Sequence, residues 1–184
     1  MAALPADIVG FWSNAGSKKW FAKSEAFDEA IRLRFEPVHH AAARGDYAAW
    51  AHSAEGALAL LLLFDQFPRN LYRGTAHAFA TDPLARSIAA PAIDRNFHHQ
   101  VEPALRPFFF TPFMHSEALA DQDRSVALYE AHDAETGDFE SLKFAVLHHD
   151  IIKRFGRFPH RNPAFGRTTT AEERTFLAEG GFGG

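Results

Sequence analysis

Cysteine is absent from this 184-residue sequence, which excludes disulfide bonds, zinc–thiolate sites and thiol nucleophiles. Long apolar runs are absent as well. The most apolar stretch, Ala57 to Phe64, falls far short of the roughly 20 residues that a membrane-spanning helix needs. The segment from Met1 to Gly10 lacks the basic start and the apolar run of a signal peptide. We therefore expect a soluble, cytoplasmic protein that does not enter a membrane.

An excess of basic residues is also lacking. The chain has 19 Lys and Arg against 23 Asp and Glu, a formal net charge of −4 and a pI of about 6.2, so we expect no nucleic-acid partner. The chain is rich in apolar residues: 47% of its residues are hydrophobic and 19 are Phe. Its length and composition predict a single domain over residues 1–184, with an aromatic core and a loose tail after about residue 179.

Signals for β-strands are scarce, whereas signals for helices recur along the chain, so the predicted fold class is all-α. Ser24 is the predicted N-cap of a helix whose apolar residues recur at spacings of three and four: Phe27, Ile31, Phe35, Val38 and Ala42. Pro37 interrupts that pattern and predicts a kink or break. Ser53 is the predicted N-cap of a helix through Phe64, which is expected to end before Pro68.

Three further segments show helical signals in the first two thirds of the chain. Ile8 to Trp12 predicts a short opening helix, and Pro103 to Phe110 predicts another short one. Asp82 and Pro83 are the predicted N-cap and first residue of a helix towards residue 96. Pro91 is expected to disturb that helix.

The last third of the chain predicts three helices. Ser116 is the expected N-cap of one through Tyr129, and a second covers about Phe139 to Phe155. Thr170 and Glu173 have the spacing of a capping box and open the third.

Two arginine-rich turns follow apolar helices and are the main candidates for a functional site. The first arginine turn, Asp65–Gly74, contains Arg69 and Arg73; the second, Lys153–Asn162, contains three arginines and precedes Arg167. Guanidinium groups suit carboxylates and phosphates. If the two turns meet in space, they form a positive concave site for an anionic ligand. The alternative is that these arginines interact with helix C-termini and with acids elsewhere, and so pin the loops.

A third polar cluster, Pro112–Glu117, offers His115 and Glu117 for metal binding or proton transfer. The alternative is that this segment serves only as the start of a helix. His149 and Asp150 resemble the paired ligands of HD-type metal-dependent phosphohydrolases, but no Asp follows Asp150. The chain has no phosphate-binding glycine loop, no nucleophile elbow and no H-E-x-x-H helix, so no cofactor is predicted.

Several of these segments together resemble a known family. They are Phe11-Trp12, Ala57–Gly74, Ala78–Asp82, Pro112–Glu117 and Arg154–Asn162. The chain resembles, from about Ile8 to Phe182, the bacterial family called domain of unknown function 924. The resemblance implies a TPR-like, right-handed array of antiparallel helix pairs, with roughly eight to ten helices. It implies no activity, and the 34-residue sequence period of tetratricopeptide repeats is not visible here.

The leading hypothesis from the sequence is a binding module with an arginine-rich groove for an anionic small molecule or peptide. Arg69, Arg73, Arg157 and Arg161 would supply charge-assisted hydrogen bonds. The full set of candidate ligand-binding residues is Arg69, Asn70, Arg73, His115, Glu117, Arg154, Arg157, His160, Arg161 and Asn162. The alternatives are a hydrolase that uses His115 with Glu117 or His149 with Asp150, alone or around a metal, and a purely structural role.

Overall fold

The computed structural model describes residues 3–20, 22–137 and 140–183, and no β-strand occurs in these ranges. The all-α prediction is therefore confirmed. The α-helices are α1 Pro5–Ala15, α2 Ser17–Trp20, α3 Glu25–Ala43, α4 Ala54–Leu61, α5 Phe67–Leu71, α6 Asp82–Asp94, α7 Thr111–Met114, α8 Leu119–Thr136, α9 Glu140–Phe155 and α10 Ala171–Ala178. The 3₁₀ helices are Ala48–His52, Ala76–Phe79, Phe97–Gln100, Pro103–Phe109 and Pro159–Arg161, and a π-helical turn covers Leu62–Gln66.

The chain forms two compact units. The first unit extends to Arg73 and continues from His77 to Pro112, and the second contains Gly74–Ala76 and the chain from Phe113 onwards. None of the helices in the described ranges is long and apolar enough to cross a membrane. The single domain remains a prediction.

Helices α8 and α9 of the second unit are an antiparallel pair. At one end Asp133 accepts a hydrogen bond from the backbone N–H of Leu142, and at the other His149 contacts Asp123 at 3.1 Å. Residue numbers therefore rise along one helix as they fall along the other. This pairing is consistent with the TPR-like arrangement that the resemblance implies.

Trp12 on α1 lies at the centre of an aromatic core in the first unit. Its ring centroid is between 5.5 and 6.0 Å from those of Trp20, Phe27, Phe67 and Phe108. Trp12 is fully buried, and Trp20 donates its indole N–H to the Trp12 carbonyl at 2.7 Å. Rings at these separations add attraction beyond the area that they bury. The predicted opening helix and the predicted aromatic core are both present.

Helix α3 begins as predicted but does not break at Pro37. Ser24 caps it by accepting the N–H of Phe27 at 3.3 Å. The helix continues to Ala43 through Pro37, which is exposed. The prediction of a break was wrong because the missing N–H and the proline ring lie on the solvent side of the helix. His39 is buried on the core face, whereas the predicted core residue Val38 is only half-buried.

The helix from Ser53 does not end before Pro68, because a π-helical turn carries it into α5. In this turn Phe67 N–H bonds to the carbonyl of Leu62, five residues earlier. Three successive carbonyls of the turn accept hydrogen bonds from side chains: His39 Nδ1 donates to Leu63 at 2.8 Å, Thr81 Oγ1 to Phe64 at 2.6 Å and Arg69 to Asp65 at 2.6 Å. Pro68 is tolerated because these side chains replace the backbone donors that are lost there.

Two other predicted helix starts were displaced. Asp82 lies inside α6, with Thr81 at the cap position, and α6 passes through the exposed Pro91 without interruption. Ser116 does not cap α8, because its hydroxyl accepts the N–H of Ala118 at 3.2 Å and the helix begins three residues after it. Helix α8 also extends past Tyr129 to Thr136. The predicted start of α9 at Phe139 lies outside the described residues.

The capping box of α10 is confirmed. Thr170 Oγ1 accepts the N–H of Glu173 at 3.2 Å, and the Glu173 carboxylate accepts the N–H of Thr170 at 2.7 Å. After this helix the tail, which was predicted to be loose, brings Phe182 against a buried cluster of Ile151, Ile152 and Phe158. The carboxylate of Glu173 and the ring of Phe182 therefore both lie beside the second arginine turn.

Candidate functional site

Arg69 of the first arginine turn bridges two buried carboxylates. Its guanidinium donates to both carboxylate oxygens of Asp82, at 2.9 and 3.0 Å, and lies 3.4 Å from a carboxylate oxygen of Asp65. Asp65 and Asp82 are almost completely buried. Burial opposes the charge of Arg69, but the two carboxylates outweigh it and raise the pKa of this guanidinium above its ordinary value. Arg69 therefore stabilises the packing of α5 against α6.

Asn70 and Arg73 of the same turn both bind Asp28 on α3. Arg73 donates through Nε at 2.6 Å and Nη2 at 2.9 Å, and Asn70 donates its amide at 2.7 Å. Burial would raise the pKa of Asp28, yet the bonds from Arg73 and Asn70 keep it below its usual value. The three polar candidates of the first turn are thus oriented towards acids of their own unit.

Arg157 and Asn162 of the second arginine turn converge on Glu173. Arg157 donates to the two carboxylate oxygens at 2.6 and 2.9 Å, and the Asn162 amide donates to one of them at 3.1 Å. The bonds from Arg157 outweigh desolvation and, together with the Thr170 N–H, lower the pKa of Glu173 to about 2. One carboxylate therefore caps α10 and anchors the turn.

Glu117 connects the third polar cluster to the second arginine turn. It accepts two hydrogen bonds from Arg167, both at 2.8 Å, and the N–H of Phe158 at 3.0 Å. Desolvation would raise the pKa of Glu117, but Arg167, the Phe158 N–H and the nearby charge of Arg161 lower it. The carboxylate is ionised and holds the turn through Phe158 and the segment after it through Arg167. This accounts for Glu117 without a role in catalysis.

Three histidines and one arginine gather around two phenylalanine rings in the second unit. We call this group the histidine–arginine cluster; its members are His115, His148, His160, Arg161, Phe158 and Phe182. The Arg161 guanidinium lies 4.4 Å from the centroid of Phe158, and Phe182 lies 4.5 Å from His148 and 5.2 Å from His160. His115 and His148 are 6.2 Å apart between centroids. The structure thus brings together three of the sequence-predicted site residues: His115, His160 and Arg161.

His148 is the buried centre of this cluster and is neutral at physiological pH. Burial, followed by the charges of His115, Arg161 and His160, lowers its pKa to about 3 against the effect of a backbone bond. That bond joins Nδ1 to the Phe144 carbonyl at 2.7 Å. A carbonyl only accepts, so the proton lies on Nδ1 and Nε2 carries a lone pair.

Comparison with known proteins agrees with the fold and the motifs. The family described as bacterial protein of unknown function (DUF924) matches residues 8–181. The chain belongs to the DUF924 family. A solved structure of a protein of unknown function from Agrobacterium tumefaciens is 50% identical and has a TM-score of 0.89 to this chain; the match covers 95% of this chain and 97% of that one. No curated protein matches the sequence.

The remaining candidates of this DUF924 chain lie outside the histidine–arginine cluster. Arg154 pairs with the exposed Glu172 at 2.9 Å. His149 contacts Asp150 at 3.2 Å and Asp123 at 3.1 Å, both of which are exposed. In the part of the chain that the structure describes, no group of three or more His, Cys, Asp or Glu side chains is arranged to hold a metal ion.

Sequence reasoning did not identify three of the acids that hold the arginines of this DUF924 chain. Asp28, Asp82 and Glu173 lie 45, 13 and 16 residues from their arginine partners. For Glu173 a signal existed, since its capping-box spacing predicts a carboxylate fixed at a helix start. His148 and Phe182 were also missed as members of a site, and no local motif distinguishes them.

We expect Glu173→Gln to destabilise the protein at neutral pH and to change how its free energy of unfolding depends on pH below about 4.5. Loss of the capping bond alone costs about 1 kcal/mol, and the charge-assisted bonds from Arg157 are weakened in addition. Because folding depresses the pKa of Glu173, its charge stabilises the protein fully above its unfolded pKa, and this stabilisation is lost as pH falls through about 2. The gap between wild type and variant in the free energy of unfolding should therefore narrow as pH falls below about 4.5.

Urea unfolding at a series of pH values measures this gap. Glu172→Gln is the matched control. Glu172 is the neighbour of Glu173 in the chain, but its carboxylate pairs with Arg154 at an exposed site, where an ion pair contributes little. A gap of constant size from pH 7 to pH 2 would contradict the assignment of Glu173 as an ionised anchor.

Proposed function

We propose that this protein is a binding module for an anionic small molecule or a peptide carboxylate, and that the ligand binds at the histidine–arginine cluster. The observation that carries this proposal is the gathering of His160 and Arg161 around the rings of Phe158 and Phe182, with His115 beside His148 of the same cluster. Guanidinium and imidazole N–H groups are the donors that carboxylates and phosphates require.

The charge of the neighbourhood favours an anion. The guanidinium groups of Arg157, Arg161 and Arg167 lie around the carboxylates of Glu117 and Glu173. His148 is neutral and adds no charge. An anionic ligand would be attracted by these guanidinium groups, and the surrounding aromatic rings would strengthen the attraction by excluding water.

Of the two arginine turns, the proposal uses only the second. In the first turn Arg69, Asn70 and Arg73 bind Asp28 and Asp82, which favours the alternative that arginines pin their loops. Arg154, Arg157 and Asn162 likewise bind Glu172 or Glu173. We assign these six residues to the support of the fold, and we assign ligand contact to His115, His160 and Arg161.

A thermal-shift and calorimetric screen of inorganic phosphate, small carboxylates, phosphorylated metabolites and short peptides tests the proposal. A ligand at 100 times its dissociation constant adds about 2.7 kcal/mol of stability. We expect His160→Ala to weaken binding of the best ligand about tenfold or more, which corresponds to about 1.4 kcal/mol.

His149→Ala is the matched control because His149 is next to His148 in the chain but, in the described residues, contacts exposed acids instead of the cluster. It should leave affinity unchanged. Equal affinities of wild type and His160→Ala, or the absence of any stabilising anion, would overturn the proposal.

A further inference from the structure

An open cleft of about 590 Å³ lies between α1 and α3 in the first unit. Gly10 and Phe11 line it from α1, and Phe27, Ala30 and Arg34 line it from α3. This volume lies within the range of small-molecule sites. The cleft contains none of the residues assigned to the proposed function.

The lining of the cleft combines an aromatic surface with a cation. Phe11 and Phe27 are stacked, with centroids 5.4 Å apart and planes 4° from parallel. The Arg34 guanidinium lies over the Phe11 ring at 4.9 Å from its centroid. A planar apolar group in the cleft would meet small side chains and aromatic edges, and its polar substituent would meet Arg34.

Two cations that line the cleft have no carboxylate within 4.0 Å in the described part of the chain. They are Lys19 and Arg34. By contrast Arg32, Arg44 and Arg73 of the same unit each contact a carboxylate. The acid in the lining, Asp7, caps α1 by accepting the N–H of Leu4 at 3.1 Å. The cleft therefore has a net positive lining.

Gly10 keeps the α1 wall of the cleft open. It lies within α1, and a Cβ added there would meet no atom within 4 Å. Glycine in a helix interior costs up to about 1 kcal/mol relative to alanine. The packing of the unit gives no reason for this glycine, whereas an unobstructed cleft does.

We propose that this cleft is a binding site for an anionic aromatic ligand, a planar ring system bearing a carboxylate, sulfonate or phosphate. The ring occupies the space beside Gly10 and Ala30 and contacts Phe11 and Phe27. The anionic group binds Lys19 and Arg34. The charge-assisted bonds fix the orientation, and the burial of the ring supplies most of the affinity.

Fluorescence titration of the full chain with anilinonaphthalene sulfonate tests the site, because this aromatic sulfonate becomes fluorescent in apolar surroundings. Gly10→Leu fills the cleft and should weaken binding about tenfold or more without lowering the melting temperature. Lys19→Gln and Arg34→Gln should each weaken it roughly three- to tenfold. Anilinonaphthalene, which lacks the sulfonate, should bind correspondingly less tightly.

Lys18→Gln is the charge-matched control for Lys19→Gln, because Lys18 is its exposed neighbour and does not line the cleft. It should leave the affinity within about twofold of wild type.

If Gly10→Leu is poorly folded, Gly10→Ala together with Arg34→Gln gives the same test. Equal binding by wild type and the cleft variants, equal effects of the two lysine substitutions, or no binding at all would overturn the proposal. His160→Ala should not change this affinity, which separates this site from the histidine–arginine cluster.

Discussion

Arg69→Ala is expected to lower the free energy of unfolding by about 3–5 kcal/mol, because it leaves buried carboxylates without their cation. Asp65 and Asp82 are at most 5% exposed, and Arg69 binds both as well as the Asp65 carbonyl. For a chain of this length the melting temperature should fall by roughly 10 °C. Urea unfolding and calorimetry measure the two quantities directly.

Arg73→Ala is the control within the same turn. Arg73 also binds a carboxylate with two hydrogen bonds, but its side chain is 37% exposed and Asp28 keeps its bond from Asn70. The expected loss is therefore about 1 kcal/mol or less. Adding Asp82→Asn to Arg69→Ala should recover part of the stability, because one buried charge is then removed. Equal losses for Arg69→Ala and Arg73→Ala would show that the buried carboxylates are not the cause, and would return Arg69 to the candidate ligand-binding residues.

Some helix caps were predictable from the sequence because their partners are three residues apart, whereas the caps predicted at Asp82 and Ser116 were wrong. Ser24 and the pair Thr170–Glu173 needed no knowledge of tertiary structure, and both were correct. The prolines were less predictable. Pro68 is accommodated because Thr81 and His39 donate to carbonyls of the π-helical turn, and these donors come from sequence-distant elements. Local propensity therefore predicted the correct fold class but placed several helix ends wrongly.

The candidate site was likewise predictable from the sequence only in part. The sequence identified the second arginine turn and His115, which the structure brings to the histidine–arginine cluster. It did not reveal which arginines are already bound to acids, because those acids approach only when α3, α6 and α10 pack. Composition shows that arginines are present, whereas pairing with buried acids shows which of them support the fold.

Gly10 lies inside α1 and Gly56 inside α4. Replacing each of them with alanine should change the free energy of unfolding in opposite directions. Gly56 is in the first turn of α4, where a Cβ would overlap the Trp50 carbonyl oxygen and lie 2.8 Å from Ser53 Oγ. The Trp50 carbonyl accepts the N–H of Ser53, and Ser53 Oγ accepts the N–H of Gly56, so neither can move without loss of the cap. We expect Gly56→Ala to cost about 3 kcal/mol.

Gly10→Ala is the matched substitution, and it should stabilise the protein by up to about 1 kcal/mol because the added methyl group enters open space. Chemical unfolding of the two variants measures the contrast. A glycine retained where alanine would be more stable has a reason other than packing, and an open α1 wall in the cleft supplies that reason. A destabilising Gly10→Ala would instead mean that α1 needs this glycine for its own structure, and the argument for the cleft would lose its support from this position.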